Sequence, residues 1–206
     1  MANSKDKNFS KDTPLCKLAE KYGTDKCAKI KHPYTEFYFK LLSKKRKNVK
    51  KVLELGIGYP EVMQHIKNYK VGASLFMWRD FFPNAMIYGV DIVPKALLNT
   101  GRIQSFLCDQ TDKNDLSKLI KTIGKDIDLI IDDGSHKTND QIFTCQNLLP
   151  LVDKNVIYII EDVAQPQIVT NALKIFSCWV PSIKRKFRDD NLVVVRNKDV
   201  ALIDLS

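Results

Sequence analysis

Two apolar, β-branched runs in this chain end abruptly in acid: Ile130-Ile131-Asp132-Asp133-Gly134-Ser135-His136 and Ile159-Ile160-Glu161-Asp162. In a parallel α/β sheet such runs are buried strands, and their carboxyl ends open onto the ligand crevice. Side by side, they gather three or four carboxylates and a histidine about one point. Carboxylates drawn together out of water repel one another unless a cation neutralises them, and no lysine or arginine is expected beside these. The pattern points to a divalent-ion site next to an imidazole base.

A second group lies upstream. Val52-Leu53-Glu54-Leu55-Gly56-Ile57-Gly58 reads as a strand running into a glycine turn, where the backbone can approach a ligand closely and a following helix offers free N–H groups. A dinucleotide fingerprint needs a third glycine, but Glu61 stands there. Glu54 suits a ligand with an amino group. Asp91 ends the next strand, placed for ribose hydroxyls. Asp109-Gln110 follows the third strand and is suited to an adenine amino group. Ser74, at a helix start, is placed for a carboxylate. Glu54, Asp91 and Asp109 at successive strand ends therefore outline a nucleoside with an amino-acid tail, which is S-adenosylmethionine.

The elements that must position these residues alternate. Strands are expected at Lys51–Leu55, Met86–Asp91, Ile103–Leu107, Ile127–Asp132 and Val156–Ile160. Helices are expected at Leu75–Phe82, Lys113–Ile123, Thr138–Leu149 and Pro166–Cys178. Such alternation predicts an α/β fold with a doubly wound, mostly parallel, Rossmann-like sheet. Two helices precede it: Pro14–Tyr22, capped by Thr13 and stopped by Gly23, and Tyr34–Lys45. Residues 12–48 are read as a helical cap or lid, with Tyr22, Thr24 and Asp25 over the site. Residues 1–11 are expected to be a flexible tail, and residues 12–206 a single domain. At the other end, Ile183–Arg188 and Leu192–Arg196 read as an antiparallel hairpin, which Val200–Ile203 extends. Trp78 and Phe81-Phe82 fall at helical spacing and read as core, whereas His65 reads as solvent-facing.

Bulk properties exclude several classes. A length of 206 residues suits one domain. The net charge of +9 is concentrated in runs such as Lys44-Lys45-Arg46-Lys47 and Lys184-Arg185-Lys186. Nucleic acid is a conceivable partner for these runs, but no aromatic residues interleave the first one, so a solvated face is the simpler reading. Five scattered cysteines without a CxxC pair support neither a zinc ribbon nor a disulfide framework. No signal peptide or membrane span is read, and a cytoplasmic location with no membrane partner is expected.

The runs Lys21-Tyr22-Gly23-Thr24-Asp25-Lys26, Ser74-Leu75 with Met77-Trp78-Arg79-Asp80-Phe81-Phe82-Pro83-Asn84-Ala85, and Ile87-Tyr88-Gly89-Val90-Asp91-Ile92, with Asp109-Gln110 and the two acid-tipped strands, resemble the metal-dependent sugar O-methyltransferases. That family includes the mycinamicin and macrocin enzymes of macrolide biosynthesis. The resemblance runs from about Lys21 to Asp162 and does not extend to the separate N-terminal domain of the bacterial members. It implies a class I methyltransferase in which Asp133, Glu161 and Asp162 ligate Mg²⁺ and His136 is the general base. The acceptor implied is a sugar or another vicinal diol, as a small molecule or part of a glycan, and a homo-oligomer is possible. Asp132 is assigned to cofactor or structural support, because it faces the other way along its strand. Similarity to catechol-type O-methyltransferases leaves that acceptor class open. A nucleic-acid methyltransferase, or a binding module without activity, are the other readings weighed.

Overall fold

The computed structural model describes residues 12–184 and 187–198. The expected N-terminal tail and the strand over Val200–Ile203 lie outside the described residues. Two helices come first, α1 (Pro14–Tyr22) and α2 (Tyr34–Leu42), the second continuing as a 3₁₀ turn over Ser43–Lys45. Strand β1 (Lys51–Leu55), helix α3 (Ala73–Phe81), strands β2 (Met86–Asp91) and β3 (Ile103–Leu107), and helix α4 (Lys113–Ile123) follow. The second half holds β4 (Leu129–Asp132), α5 (Thr138–Leu148), β5 (Ile157–Ile160), α6 (Pro166–Ala172), β6 (Ser177–Trp179) and β7 (Val193–Arg196).

The seven strands form one sheet in the order β3-β2-β1-β4-β5-β7-β6. Pairing is parallel from β3 to β5 and antiparallel at β7 and β6. Chain order reverses beside β1, where β4 takes the place that β2 leaves free, and the crevice of a doubly wound sheet opens at such a switch. β4 and β5 are neighbours, which brings the two acid-tipped runs together.

Side chains alternate between faces along each strand, and the core divides accordingly. Val52, Ile87, Leu129, Ile131, Ile157 and Ile159 pack in one apolar cluster with residues of α1, α2 and α3. Leu53, Leu55, Ile130, Tyr158 and Ile160 pack in another with residues of α4, α5 and α6. The same parity sets the direction of the polar residues. Glu54 shares the α1–α3 face with Val52, whereas Asp132 shares the α4–α6 face with Ile130. Trp78, Phe81 and Phe82 are fully buried in the first cluster, as their spacing predicts.

The expected hairpin has a different first arm. Among the described residues Ser177–Trp179 pairs with β7, through Cys178 opposite Val195, and the expected arm Ile183–Arg188 lies partly outside them. α6 correspondingly stops at Ala172, and the residues assigned to its last turns supply the edge strand. An apolar run of that length satisfies either period, so only pairing with β7 decides. The glycine turn also differs: no helix follows Gly58 directly, and α3 begins only at Ala73, after a loop of turns.

Gly56 shows why that turn needs glycine. Its φ is +86°, and a Cβ there would lie 2.1 Å from the carbonyl oxygen of Asp133. A Gly56→Ala protein should lose about 3 kcal/mol or more from left-handed strain and overpacking together, roughly 6–12 °C in Tm. Gly101→Ala is the control, because Gly101 has a φ of +54° but no atom within 4 Å of its Cβ position. Thermal melts showing equal losses for the two variants would contradict this account.

Candidate active site

A cavity of about 670 Å³ opens at the carboxyl ends of β1, β2 and β4. Its wall includes Gly56, Gly58, Ser74, Asp91, Asp109 and Gln110 on one side. On the other it includes Asp133, His136 and Asp162, with Thr24 and Asp25 from the loop between α1 and α2. Most of the residues singled out from sequence therefore converge on one space.

At the cofactor side, the Asp91 carboxylate accepts from the backbone N–H groups of Ile57 (3.1 Å), Gly58 (3.3 Å) and Val93 (2.9 Å), which locks the glycine turn to β2. Asp109 accepts from the N–H and hydroxyl of Thr111. Gln110 donates to Asp132 (3.1 Å) and Thr144 (3.0 Å) and accepts from the Ser135 N–H (3.0 Å). Ile92 is 63% exposed yet lines the cavity, offering an apolar face for a flat ring.

Glu54 is not in the cavity wall. It is fully buried, accepts from the Ser74 hydroxyl at 2.8 Å, and lies 3.2 Å from the Lys26 ammonium. Sequence reading expects this carboxylate to meet a ligand's amino group, and the structure places an ammonium of the chain itself, that of Lys26, beside it. The parity of β1 is the reason, since Glu54 faces α1–α3 and not the crevice mouth. Ser74 correspondingly spends its hydroxyl on Glu54, although it still lines the cavity.

Asp132 likewise points away from the cavity, onto the α4–α6 face, where it accepts from the Tyr158 hydroxyl at 2.8 Å and from Gln110. It supports the site from behind. Burial pushes its carboxyl up to about 6, against the hydrogen bonds of Tyr158 and Gln110. A raised carboxyl favours the protonated folded state. Its contribution is therefore largest below about pH 4 and is lost as pH climbs through 6. An Asp132→Asn protein should show a flatter stability profile between pH 4 and 6, by at most about 3 kcal/mol at 1.36 per pH unit. Urea melts across that range would measure it, and an unchanged slope would exclude the assignment.

The chemistry end is built from three turns. His136 Nε2 lies 3.0 Å from Asp133 Oδ1, and His136 Nδ1 lies 3.7 Å from Asp162 Oδ2. Ligand atoms of Asp133, His136 and Asp162 all lie within 4.8 Å of one another, an arrangement that suits a metal ion. His136 and Asp162 both hold left-handed backbone, with φ of +56° and +50°. Such strain at two non-glycine residues of one cluster persists only where the surrounding structure enforces it. Burial alone would lower the His136 pKa, but the Asp133 hydrogen bond and the charges of Asp133 and Asp162 push it up to about 9.

Glu161 stands apart from that trio. One of its oxygens accepts from the Tyr38 hydroxyl, and the other lies 2.7 Å from Lys26 Nζ. Tyr34, also on α2, donates to Asp162 Oδ1. Burial drives the Glu161 and Asp162 carboxyls above their ordinary values. The expectation that no lysine stands near these acids is overturned. Lys26, 1% exposed, reaches Asp133 Oδ2 at 2.6 Å as well as Glu161 and Glu54. Its backbone explains the reach: the Lys26 carbonyl accepts from the N–H groups of Tyr34 (3.1 Å) and Thr35 (3.0 Å), capping α2 where Pro33 offers no side-chain cap. A lysine separated by more than a hundred residues from Asp133 and Glu161 has no local signature for those pairings.

The cap places other residues too. His32 lies with Asp162 and Asp190, its Nδ1 3.5 Å from the first and 2.5 Å from the second. His65 is exposed, as its polar context predicts, and it also borders the cavity, 3.4 Å from Asp25. Tyr22 packs on Phe76 and donates to Asp80, so it joins α1 to α3 and does not cover the cavity. The basic run Lys44–Lys47 precedes β1, at the sheet edge opposite the cavity. Among the described residues no helix is long and apolar enough to cross a membrane.

No protein-family model matches the chain. It is 35% identical, over 153 residues, to the 8-demethyl-8-(2-methoxy-alpha-L-rhamnosyl)-tetracenomycin-C 3'-O-methyltransferase of Streptomyces olivaceus, which covers 74% of this chain and 37% of that protein. Over 156 residues it is 33% identical to the mycinamicin VI 2''-O-methyltransferase of Micromonospora griseorubida, with 74% and 37% covered. The chain thus spans little more than a third of these relatives' length. Among solved structures it resembles the MycE methyltransferase of the mycinamycin pathway, in complex with Mg, SAH and mycinamycin VI, with a TM-score of 0.71 and 25% identity, covering 95% of this chain and 58% of that one. The SAH-bound Podospora anserina methyltransferase PaMTH1, at TM-score 0.58 and 15% identity, covers 90% of this chain and 88% of its own and shares the fold. The architecture is that of a class I methyltransferase.

Proposed function

We propose that this chain, related over 74% of its length to sugar O-methyltransferases, is an S-adenosylmethionine-dependent, Mg²⁺-assisted O-methyltransferase acting on a sugar or other vicinal-diol hydroxyl. The observation that carries the reading is the convergence of Asp133, His136 and Asp162 on a cavity shared with the glycine turn. The donor set fits a hard divalent ion, since carboxylate oxygens without a cysteine suit Mg²⁺. Asp133 and Asp162 present oxygens toward the cavity and would hold the ion; Glu161 joins them only by releasing Lys26 or Tyr38. The cofactor would lie along Gly56, Gly58 and Asp91, with Asp109, Gln110 and Ile92 about its base.

When bound, the ion acidifies an acceptor hydroxyl and draws on the carboxylates that otherwise keep His136 charged. The protein's own groups do the rest. His136 takes the hydroxyl proton on a ring nitrogen, and Asp133 holds that ring in register. The walls of the cavity align the acceptor oxygen with the methyl group, for which positioning is the main requirement. Thr24 and Asp25 form the rim on the cap side and limit entry of water.

The test is methyl transfer from S-adenosylmethionine across a panel of free, nucleotide-linked and natural-product-linked sugars, with Mg²⁺ and with EDTA. Turnover on a glycosidic hydroxyl that EDTA abolishes is expected. Transfer indifferent to EDTA, or confined to catechols or RNA, would replace the reading. The position of Lys44–Lys47 away from the cavity argues against the RNA outcome.

A further inference from the structure

The least expected feature of the site is a cation that belongs to the chain. Lys26 Nζ sits between acids from three separate segments, 3.2 Å from Glu54, 2.6 Å from Asp133 and 2.7 Å from Glu161. All of this is buried except Asp133, whose second oxygen meets His136 at the cavity. Asp133 is therefore shared. Its Oδ2 faces the ammonium, and its Oδ1 faces the space that Asp162 also borders. Two cations that draw on one carboxylate weaken each other's hold, and that coupling is reciprocal.

We propose that Lys26 is a built-in counter-ion that holds Glu54, Asp133 and Glu161 together in the absence of a divalent ion and holds down the divalent affinity of the Asp133–Asp162 pair. This deepens the reading of a divalent site under Proposed function and rests on it. Four carboxylates within one cluster would otherwise repel each other and strain the strand ends. The lysine removes that repulsion permanently, so the site is assembled before any ion arrives. The same ammonium disfavours a dication alongside it, which keeps binding weak and exchangeable. Because the Lys26 carbonyl also caps α2, the helix that brings Tyr34 and Tyr38 to Asp162 and Glu161 is tied to this cation.

The experiment compares the full wild-type chain with Lys26→Gln, Lys26→Arg and Asp162→Asn. Mn²⁺ binding is followed by electron paramagnetic resonance, and thermal melts are run in EDTA and in Mn²⁺. Lys26→Gln should melt lower than wild type in EDTA and bind Mn²⁺ about tenfold tighter or more, within the usual range for coupled sites. Its melting point should rise more on adding Mn²⁺ than that of wild type. Lys26→Arg, which keeps the charge, should bind Mn²⁺ as wild type does. Equal or weaker Mn²⁺ binding by a folded Lys26→Gln protein overturns the inference, provided that wild type binds and Asp162→Asn does not. No Mn²⁺ binding by wild type would instead overturn the divalent reading itself, and this inference with it. Should Lys26→Gln not fold, ¹⁵N-lysine resonances of wild type give the answer without a variant: the buried ε-ammonium signal should move as Mg²⁺ saturates the site, and a stationary signal overturns the proposal.

Discussion

His136→Asn should lower turnover by about 10²- to 10⁴-fold, the usual contribution of a positioned acid–base group, while cofactor and divalent affinities stay within a few-fold of wild type. Asparagine is the informative replacement because His136 has a φ of +56°, a left-handed conformation that asparagine accepts more readily than alanine. The imidazole is 44% exposed, so its loss leaves no cavity in the core. What disappears is the imidazole that takes the hydroxyl proton, together with its contact with Asp133. Product formation and cofactor titration, run on the same preparation, separate the outcomes. A parallel collapse of cofactor binding would mean that the turn had unfolded, and undiminished turnover would remove His136 from the reaction.

Asp162→Asn should separate stability from function. The side chain is buried, and burial raises its carboxyl, so the folded protein holds this charge at a cost. A neutral amide of the same shape relieves that cost, keeps an oxygen for the Tyr34 hydroxyl, and tolerates the φ of +50°. The melting temperature in EDTA should therefore be equal to or higher than that of wild type. Divalent affinity should fall by about 100-fold or more, since even partners behind the ligands are worth 10- to 100-fold. Buried acids that destabilise a fold are retained where they are used. Isothermal titration with Mn²⁺ and melts in EDTA measure the two effects. A destabilised variant that still binds Mn²⁺ normally would assign Asp162 a structural role alone.

Much of the framework was legible from residue order. β1, β2, β3 and α4 have the bounds that periodicity and turn residues predict, because each is a short apolar segment with polar punctuation on both sides. The convergence of Asp133, His136 and Asp162 was legible for the same reason, as strand ends of a parallel sheet share one edge. The C-terminal hairpin was not. Its first arm depends on which of two segments meets β7, and that choice is made by pairing across the sheet.

The amino-acid sequence by itself determined which segments become the parallel strands, on which edge their acids emerge, and hence that an acidic, polar centre forms at the carboxyl ends of β4 and β5. Tertiary structure alone decided what neutralises those acids. Lys26 lies 107 positions from Asp133 and 135 from Glu161, and no local pattern announces a pairing over such a distance. It arises because Gly23 ends α1, the Lys26 carbonyl caps α2, and the turn between them aims one ammonium into the sheet. The side on which Glu54 and Asp132 act was also settled in three dimensions, by which helices cover each face of the strand that carries them.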